Sequence, residues 1–180
     1  MRALARLVLG FDHSMASAVI EQANGIDVDA LIDKAVRTWY LELLDNADAT
    51  LLETETPATM AVSAGRTCGG TLLVLPENVR RVISIQHDGW ECSTAVLPAA
   101  SLDNVVKQQR NPFTAAGAFA PVAVEDPDCR HITAWPAATN GNCIVNAVID
   151  HGDDAFAFDE AAIASLVEFL NSDKFKNYLP

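Results

Sequence analysis

Near the N-terminus, apolar residues recur at intervals of three and four positions, which is the spacing of one face of an α-helix. Residues 2–22 form one such stripe, and Asn24-Gly25 is a suitable stop. Residues 28–45 form a second stripe, which Asp27 can cap at its N-terminus. Because the link between the stripes is short, the pattern predicts two neighbouring helices that form a helical hairpin.

From about residue 60 the pattern changes to alternating apolar and polar positions, which is typical of half-buried β-strands. The alternation predicts strands over residues 60–64, 71–75, 82–87, 90–96, 121–125, 130–135 and 143–149. The dipeptide Asp88-Gly89 is a strong hairpin signal between two of them. A two-residue turn there would place Trp90 opposite His87, and Cys92 opposite Ile85.

Helical spacing returns twice in the second half of the chain. Ser101 can cap a short helix that ends before Pro112, and Asp159 can cap a closing helix with apolar residues 163–170. The Ala- and Gly-rich segment 113–120 is predicted to be flexible.

Strands that come in runs, without alternating with helices, indicate an α+β fold. We predict an N-terminal helical hairpin, an antiparallel β-meander or sandwich with an inserted short helix, and a C-terminal helix. The predicted division is a helical part over residues 1–55 and a β-rich part with the closing helix over residues 56–180, either as one compact domain or as two subdomains.

The acidic composition restricts the partners to expect. The formal net charge is −12, and Arg80-Arg81 is the only adjacent pair of basic residues. A groove that binds the phosphate backbone of DNA needs clustered Lys and Arg side chains, so sequence-specific DNA binding is not expected. Passage of DNA along a surface to which it does not adhere remains compatible with this charge.

The apolar run near the N-terminus is broken after Leu9, which makes it too short for a signal peptide. No segment reaches the roughly 18–20 apolar residues of a membrane span. We therefore expect a soluble protein without membrane partners, made in a reducing compartment with free thiols.

Cysteine and histidine are the residues most open to a chemical role. Pairing of Cys92, Cys129 or Cys143 with His87 or His131 could give a nucleophile and its base, but no spacing brings them together. Cys92 and Cys143 fall in predicted strands and Cys129 directly precedes one, whereas a reactive thiol needs an electropositive environment. A catalytic pair is therefore the weaker interpretation.

Metal sites are also weakly indicated. The four cysteines, including Cys68, are widely spaced and form no CxxC pair. The fragment Cys129-Arg130-His131 is more simply explained by a strand with a buried thiol. The acidic turn over residues 150–154 lacks the alternating layout of a calcium loop and is more simply a solvated turn. We assign no catalytic residue, cofactor or metal.

The segment LPENVRRVIS, residues 75–84, resembles a short signature of neck proteins of tailed bacteriophages. That signature has Leu-Pro, two acidic or amide residues, a large apolar residue, a basic residue and a strand that often ends in tryptophan, here Trp90. The two-helix start and the Gln108-Gln109 end of the short helix fit the same pattern. Over residues 28–125 the chain resembles, more narrowly, ring or head-to-tail connector proteins of crAss-like and related short-tailed phages.

The resemblance implies a structural, non-enzymatic virion protein that is made in the host cytoplasm. Such proteins form a closed, typically dodecameric ring between the portal and the tail or a second ring, around the DNA exit channel. The candidate subunit contacts are Arg80, Arg81, Trp90 and Arg110. The alternatives are a small intracellular α+β enzyme or ligand-binding domain that uses Cys and His, and an oligomeric scaffold of non-viral origin.

Overall fold

A computed structural model of the chain describes residues 1, 3–5, 27–57, 61–64, 69–128, 130–137, 142–152 and 155–173. The fold is mixed α+β, as the sequence predicts, and its seven strands form one sheet. The main helices are α1 (Val28–Asn46), α2 (Leu102–Gln109) and α3 (Ile163–Asn171). The strands are β1 (Ala61–Ala64), β2 (Thr71–Val74), β3 (Val79–His87), β4 (Thr94–Leu97), β5 (Val122–Glu125), β6 (His131–Trp135) and β7 (Cys143–Ile149).

The chain divides into two compact units. Unit 1 combines Met1–Glu53 with His151–Pro180, and unit 2 is Thr54–Asp150. The division predicted at residue 55 lies close to the first of these boundaries. The closing helix, which the sequence analysis placed with the β-rich part, groups instead with α1 in unit 1.

Unit 1 is organised around the apolar face of α1. The Asp27 carboxylate accepts a hydrogen bond from the Ala30 backbone N–H at 3.0 Å, so the predicted cap is present. Asp159 likewise caps the 3-10 turn before α3, by accepting from the Ala161 N–H at 2.8 Å. Helical spacing buries Ile32, Ala35, Val36, Trp39, Tyr40, Leu43 and Leu44 on α1 and Leu166, Phe169 and Leu170 on α3. The helix predicted over residues 2–22 falls largely outside the described residues.

Unit 2 contains the sheet, whose strand order is β1-β2-β6-β5-β4-β3-β7. This order differs from the predicted meander, because β6 lies between β2 and β5 and β7 lies beside β3. The connection from β4 to β5 passes through α2, and the two strands pair in parallel. A crossover helix is the usual connection between parallel neighbours, whereas a tight turn can join only antiparallel ones.

The hairpin at Asp88-Gly89 forms, but its second arm is displaced. The Trp90 N–H donates to the His87 carbonyl at 3.0 Å, and Gly89 has a φ of 84°, which glycine tolerates. Beyond the turn, Ile85 pairs with Thr94 and not with Cys92 as predicted. The Glu91 N–H donates at 2.9 Å to the carbonyl of Ala118 instead of to β3, so the strand β4 begins later.

In the core of unit 2, the backbone of Gly70 lies close to the indole ring of Trp135. Trp135 is 2% exposed, and a Cβ added at Gly70 would lie 2.8 Å from its Nε1 atom. Only glycine leaves room for the indole at this position. Trp135 belongs to a small buried cluster with Val105 and Val124. The larger cluster of unit 2 is separate and contains Leu73, Ile85, Ile132, Ala134, Val145 and Ala147.

Candidate functional site

The sheet brings together one of the Cys–His pairs considered from the sequence. His87 on β3 and Cys143 on β7 are register partners. Cys92 lies outside the strands and is exposed, and His131 is hydrogen-bonded through Nδ1 to Asp128 Oδ2. Cys68 and Cys129 are outside the described residues.

The electrostatics of the His87–Cys143 pair oppose nucleophilic catalysis. Burial raises the pKa of the Cys143 thiol to about 11, and the Asp88 carboxylate acts in the same direction. Burial lowers the pKa of His87, whose ring nitrogens are both buried without a hydrogen-bond partner. A catalytic thiol needs the opposite shift and a base within hydrogen-bond reach. The two side chains are better explained as core neighbours, and the His87 ring packs against Trp90 with centroids 5.9 Å apart.

The buried imidazole should make the protein sensitive to acid. Because the pKa of His87 is lowered by folding, the unfolded chain binds a proton more readily, and stability falls as the pH drops below about 6.5. We expect His87→Phe, which keeps a ring against Trp90, to reduce the loss of unfolding free energy between pH 7 and pH 5. The limiting contribution of one such group is about 1.4 kcal/mol per pH unit.

Urea unfolding of both proteins at pH 7 and pH 5 measures this difference. His151→Gln is the matched control, because it removes an exposed histidine outside the core of unit 2. An equal loss of stability in wild type and His87→Phe would contradict the assignment.

A cavity of about 400 Å³ lies in unit 2 between α2 and the sheet. Two carboxylates that line the cavity form hydrogen bonds with neighbouring side chains. Asp126 Oδ1 accepts a hydrogen bond from Thr133 Oγ1 at 3.0 Å, and Asp128 is hydrogen-bonded to His131. The Arg130 backbone N–H, together with His131, holds the pKa of Asp128 below its usual value. Among the described residues, no group of His, Cys, Asp and Glu is arranged to hold a metal ion. The cavity is lined by Leu72, Leu102, Asp103, Val106, Asp126, Asp128, His131 and Thr133.

The candidate interface residues occupy different environments. The register of β3 against β7 shifts at Arg80, which is exposed, whereas Arg81 is half-buried. Arg110 ends α2 and is exposed. Trp90 was expected to be a subunit contact, but its side chain is only 6% exposed. Its indole N–H donates a hydrogen bond to the Pro136 carbonyl at 3.0 Å. It is therefore a core residue that a partner could not reach without unpacking the fold.

Arg130 has a structural role that the sequence analysis missed. Its guanidinium donates to the carbonyls of Glu77 at 3.0 Å and Pro76 at 3.4 Å, while the Leu75 N–H donates to the Arg130 carbonyl. Arg130 thus holds the Leu-Pro-Glu-Asn turn at the start of β3. No local signal predicts this contact, because it depends on the pairing of β2 with β6.

The segment 111–120, which we call the aromatic loop, is the second feature that the sequence analysis missed. The side chains of Phe113 and Phe119 are 95% and 83% exposed. The loop is nevertheless hydrogen-bonded: the Ala116 N–H donates to Gln109 Oε1 at 2.9 Å, and Gly117 and Ala120 form a β-bridge. The loop therefore has defined hydrogen bonds and presents two aromatic rings to solvent, and the flexibility expected from the sequence stays a prediction.

Unit 1 carries an open groove of about 470 Å³ between α1 and α3, which we call the helical groove. Its walls are largely apolar, and Glu42 and Glu168 add negative charge. The groove is lined by Trp39, Glu42, Leu43, Asn46, Ala47, Leu51, Ala161, Ala162, Ser165, Glu168, Phe169 and Ser172.

Comparison with known proteins adds no assignment. No model of a protein family matches the chain, and the search of curated proteins finds no significant match. Among the described residues, no helix has both the length and the apolar composition needed to cross a membrane.

Proposed function

We propose that the chain is a structural, non-enzymatic virion protein of the phage neck. In this proposal its copies form a closed, dodecameric ring that joins the portal to the tail or to a second ring and surrounds the DNA exit channel. The observation that carries the proposal is the aromatic loop. Two almost fully exposed phenylalanines on a hydrogen-bonded segment are typical of a surface that binds another protein.

Two further features support the same function. The resemblance to neck proteins rests on the segment Leu-Pro-Glu-Asn-Val-Arg. Arg130 holds the start of this segment through the Glu77 carbonyl, and its last residue, Arg80, is exposed. The net charge of −12 disfavours adhesion of DNA. A channel for DNA ejection needs such a non-adhesive surface. The helical hairpin predicted at the N-terminus and a sandwich arrangement of the strands remain part of the proposal.

The test is the assembly state of the purified chain, alone and mixed with its portal protein. Light scattering coupled to size exclusion should detect a discrete oligomer, and negative-stain electron microscopy should show rings. If the chain is a monomer both alone and with the portal protein, the proposed function is wrong. Genes for portal and capsid proteins next to this one would separate a phage neck protein from a non-viral scaffold.

Thiol labelling distinguishes the enzyme alternative. An enzyme that uses Cys and His would have one cysteine that reacts far faster than a free thiol in solution. The neck proposal expects Cys92 to react at an ordinary rate, because it is exposed, and Cys143 to react slowly, because its thiol is half-buried with a raised pKa.

A further inference from the structure

The structure carries two apolar surfaces with opposite charges beside them. The aromatic loop of unit 2 exposes Phe113 and Phe119, and the helical groove of unit 1 is lined mostly by apolar residues. We propose that the aromatic loop of one copy binds the helical groove of a second copy, and that this contact is the repeated interface of the assembly. The inference rests on the proposed ring and names the surfaces that build it.

The apolar part of the match comes first. Phe113 and Phe119 are the most exposed large apolar side chains among the described residues. Burying an aromatic side chain removes about 150–250 Å² of its surface from water. The groove volume of about 470 Å³ lies within the about 300–1,000 Å³ of pockets that accept drug-sized ligands, so aromatic side chains fit. Its walls include Trp39, Leu43 and Phe169, which offer ring and aliphatic contacts.

Charge selects the same pairing. Lys107 and Arg110 lie at the end of α2, immediately before the aromatic loop, and both are exposed. Glu42 and Glu168 line the groove and are also exposed. In a chain of net charge −12, a surface that combines exposed aromatic rings with cations is suited to an acidic apolar partner. The helical groove of another copy has that character.

The topology of the contact agrees with a ring. The loop and the groove are different surfaces, so the contact is heterologous and each copy can receive one neighbour and bind another. Heterologous contacts generate closed rings when the rotation between copies fits, and filaments when it does not. A contact between identical patches would stop at a dimer.

The test uses variants that block one surface at a time. The double variant Phe113→Asp with Phe119→Asp removes the loop contact, and Ala161→Trp obstructs the groove at an exposed wall residue. Each variant should convert the oligomer into a monomer. In the loop variant, association should weaken by about tenfold to a hundredfold for each phenylalanine ring that is lost. Ile144→Asp is the matched control, because Ile144 is a 61% exposed apolar residue elsewhere on unit 2 and should leave assembly intact.

Mixing the two variants gives the decisive result. The loop variant retains a working groove, and the groove variant retains a working loop. An equal mixture should therefore form a one-to-one complex that cannot grow further, detectable by native mass spectrometry. Circular dichroism and thermal melting of each variant establish that both are folded.

Exchanging charges checks the orientation of the contact. Arg110→Glu and Glu168→Lys should each weaken association, and the two substitutions in the same chain should restore it. If wild type assembles while the loop and groove variants assemble equally well, or if the mixture gives no complex, the inference is overturned and the ring proposal stands. If wild type does not associate alone or with its portal, the proposed function itself fails.

Discussion

Replacing Trp90 with alanine should lower the free energy of unfolding by about 3–5 kcal/mol. The side chain is 6% exposed and packs against His87, so its removal leaves a large cavity in the core of unit 2. It also removes the donor to the Pro136 carbonyl, which Trp90 holds at 3.0 Å. Urea unfolding followed by far-ultraviolet circular dichroism measures the effect without relying on the fluorescence of the tryptophan that is removed.

Two variants separate the causes of this loss. Trp90→Phe keeps an aromatic ring but removes the indole donor, so it should cost about 1–3 kcal/mol, less than the alanine variant. Phe113→Ala removes an aromatic side chain that is 95% exposed, and it should change stability by no more than about 0.5 kcal/mol. A loss below about 1 kcal/mol for Trp90→Ala would show that the residue is not part of the core, and would restore it as a candidate interface residue.

Tyr40→Ala should have a comparable effect on unit 1, also about 3–5 kcal/mol. The ring is completely buried and meets Phe156 edge-on with centroids 5.0 Å apart. Its hydroxyl accepts a hydrogen bond from the Ala157 N–H at 3.0 Å, which ties the segment before α3 to α1. Arg37 lies over the same ring at 5.8 Å from its centroid and donates to the Gly152 carbonyl.

Tyr40→Phe isolates the hydroxyl in this network. It keeps the ring packing and leaves the Ala157 N–H without its acceptor, so we expect a loss of about 1 kcal/mol. Chemical unfolding of the three proteins under the same conditions gives both differences. If the phenylalanine variant were as unstable as the alanine variant, the hydrogen bond and not the aromatic packing would hold the segment.

Local elements could be predicted from the sequence because their signals are local. The helical spacing and the Asp27 cap identify α1, and alternation together with Asp88-Gly89 identifies the turn after β3. The order of the strands could not be predicted, because it depends on partners far apart in the chain. The late start of β4 is one example, since the Glu91 N–H is taken by Ala118 from the loop after α2.

The candidate site was harder to predict than the fold. Trp90, which matches the tryptophan of the neck-protein signature, was a candidate contact residue, yet the folded chain buries it. Phe113 and Phe119 lie in an Ala- and Gly-rich segment without periodicity, so no pattern indicated whether their rings were buried or exposed. Their exposure depends on hydrogen bonds such as that from the Ala116 N–H to Gln109, which only the folded chain reveals.

The division of the chain into units has a consequence for its synthesis. Unit 1 needs residues from both ends of the chain, whereas unit 2 is the continuous stretch Thr54–Asp150. A ribosome therefore delivers every residue of the sheet before α3 exists, and unit 2 can fold while the nascent α1 still lacks its partner helix. Until α3 has been synthesised, the apolar face of α1 has no α3 to cover it, and that face can then bind a chaperone.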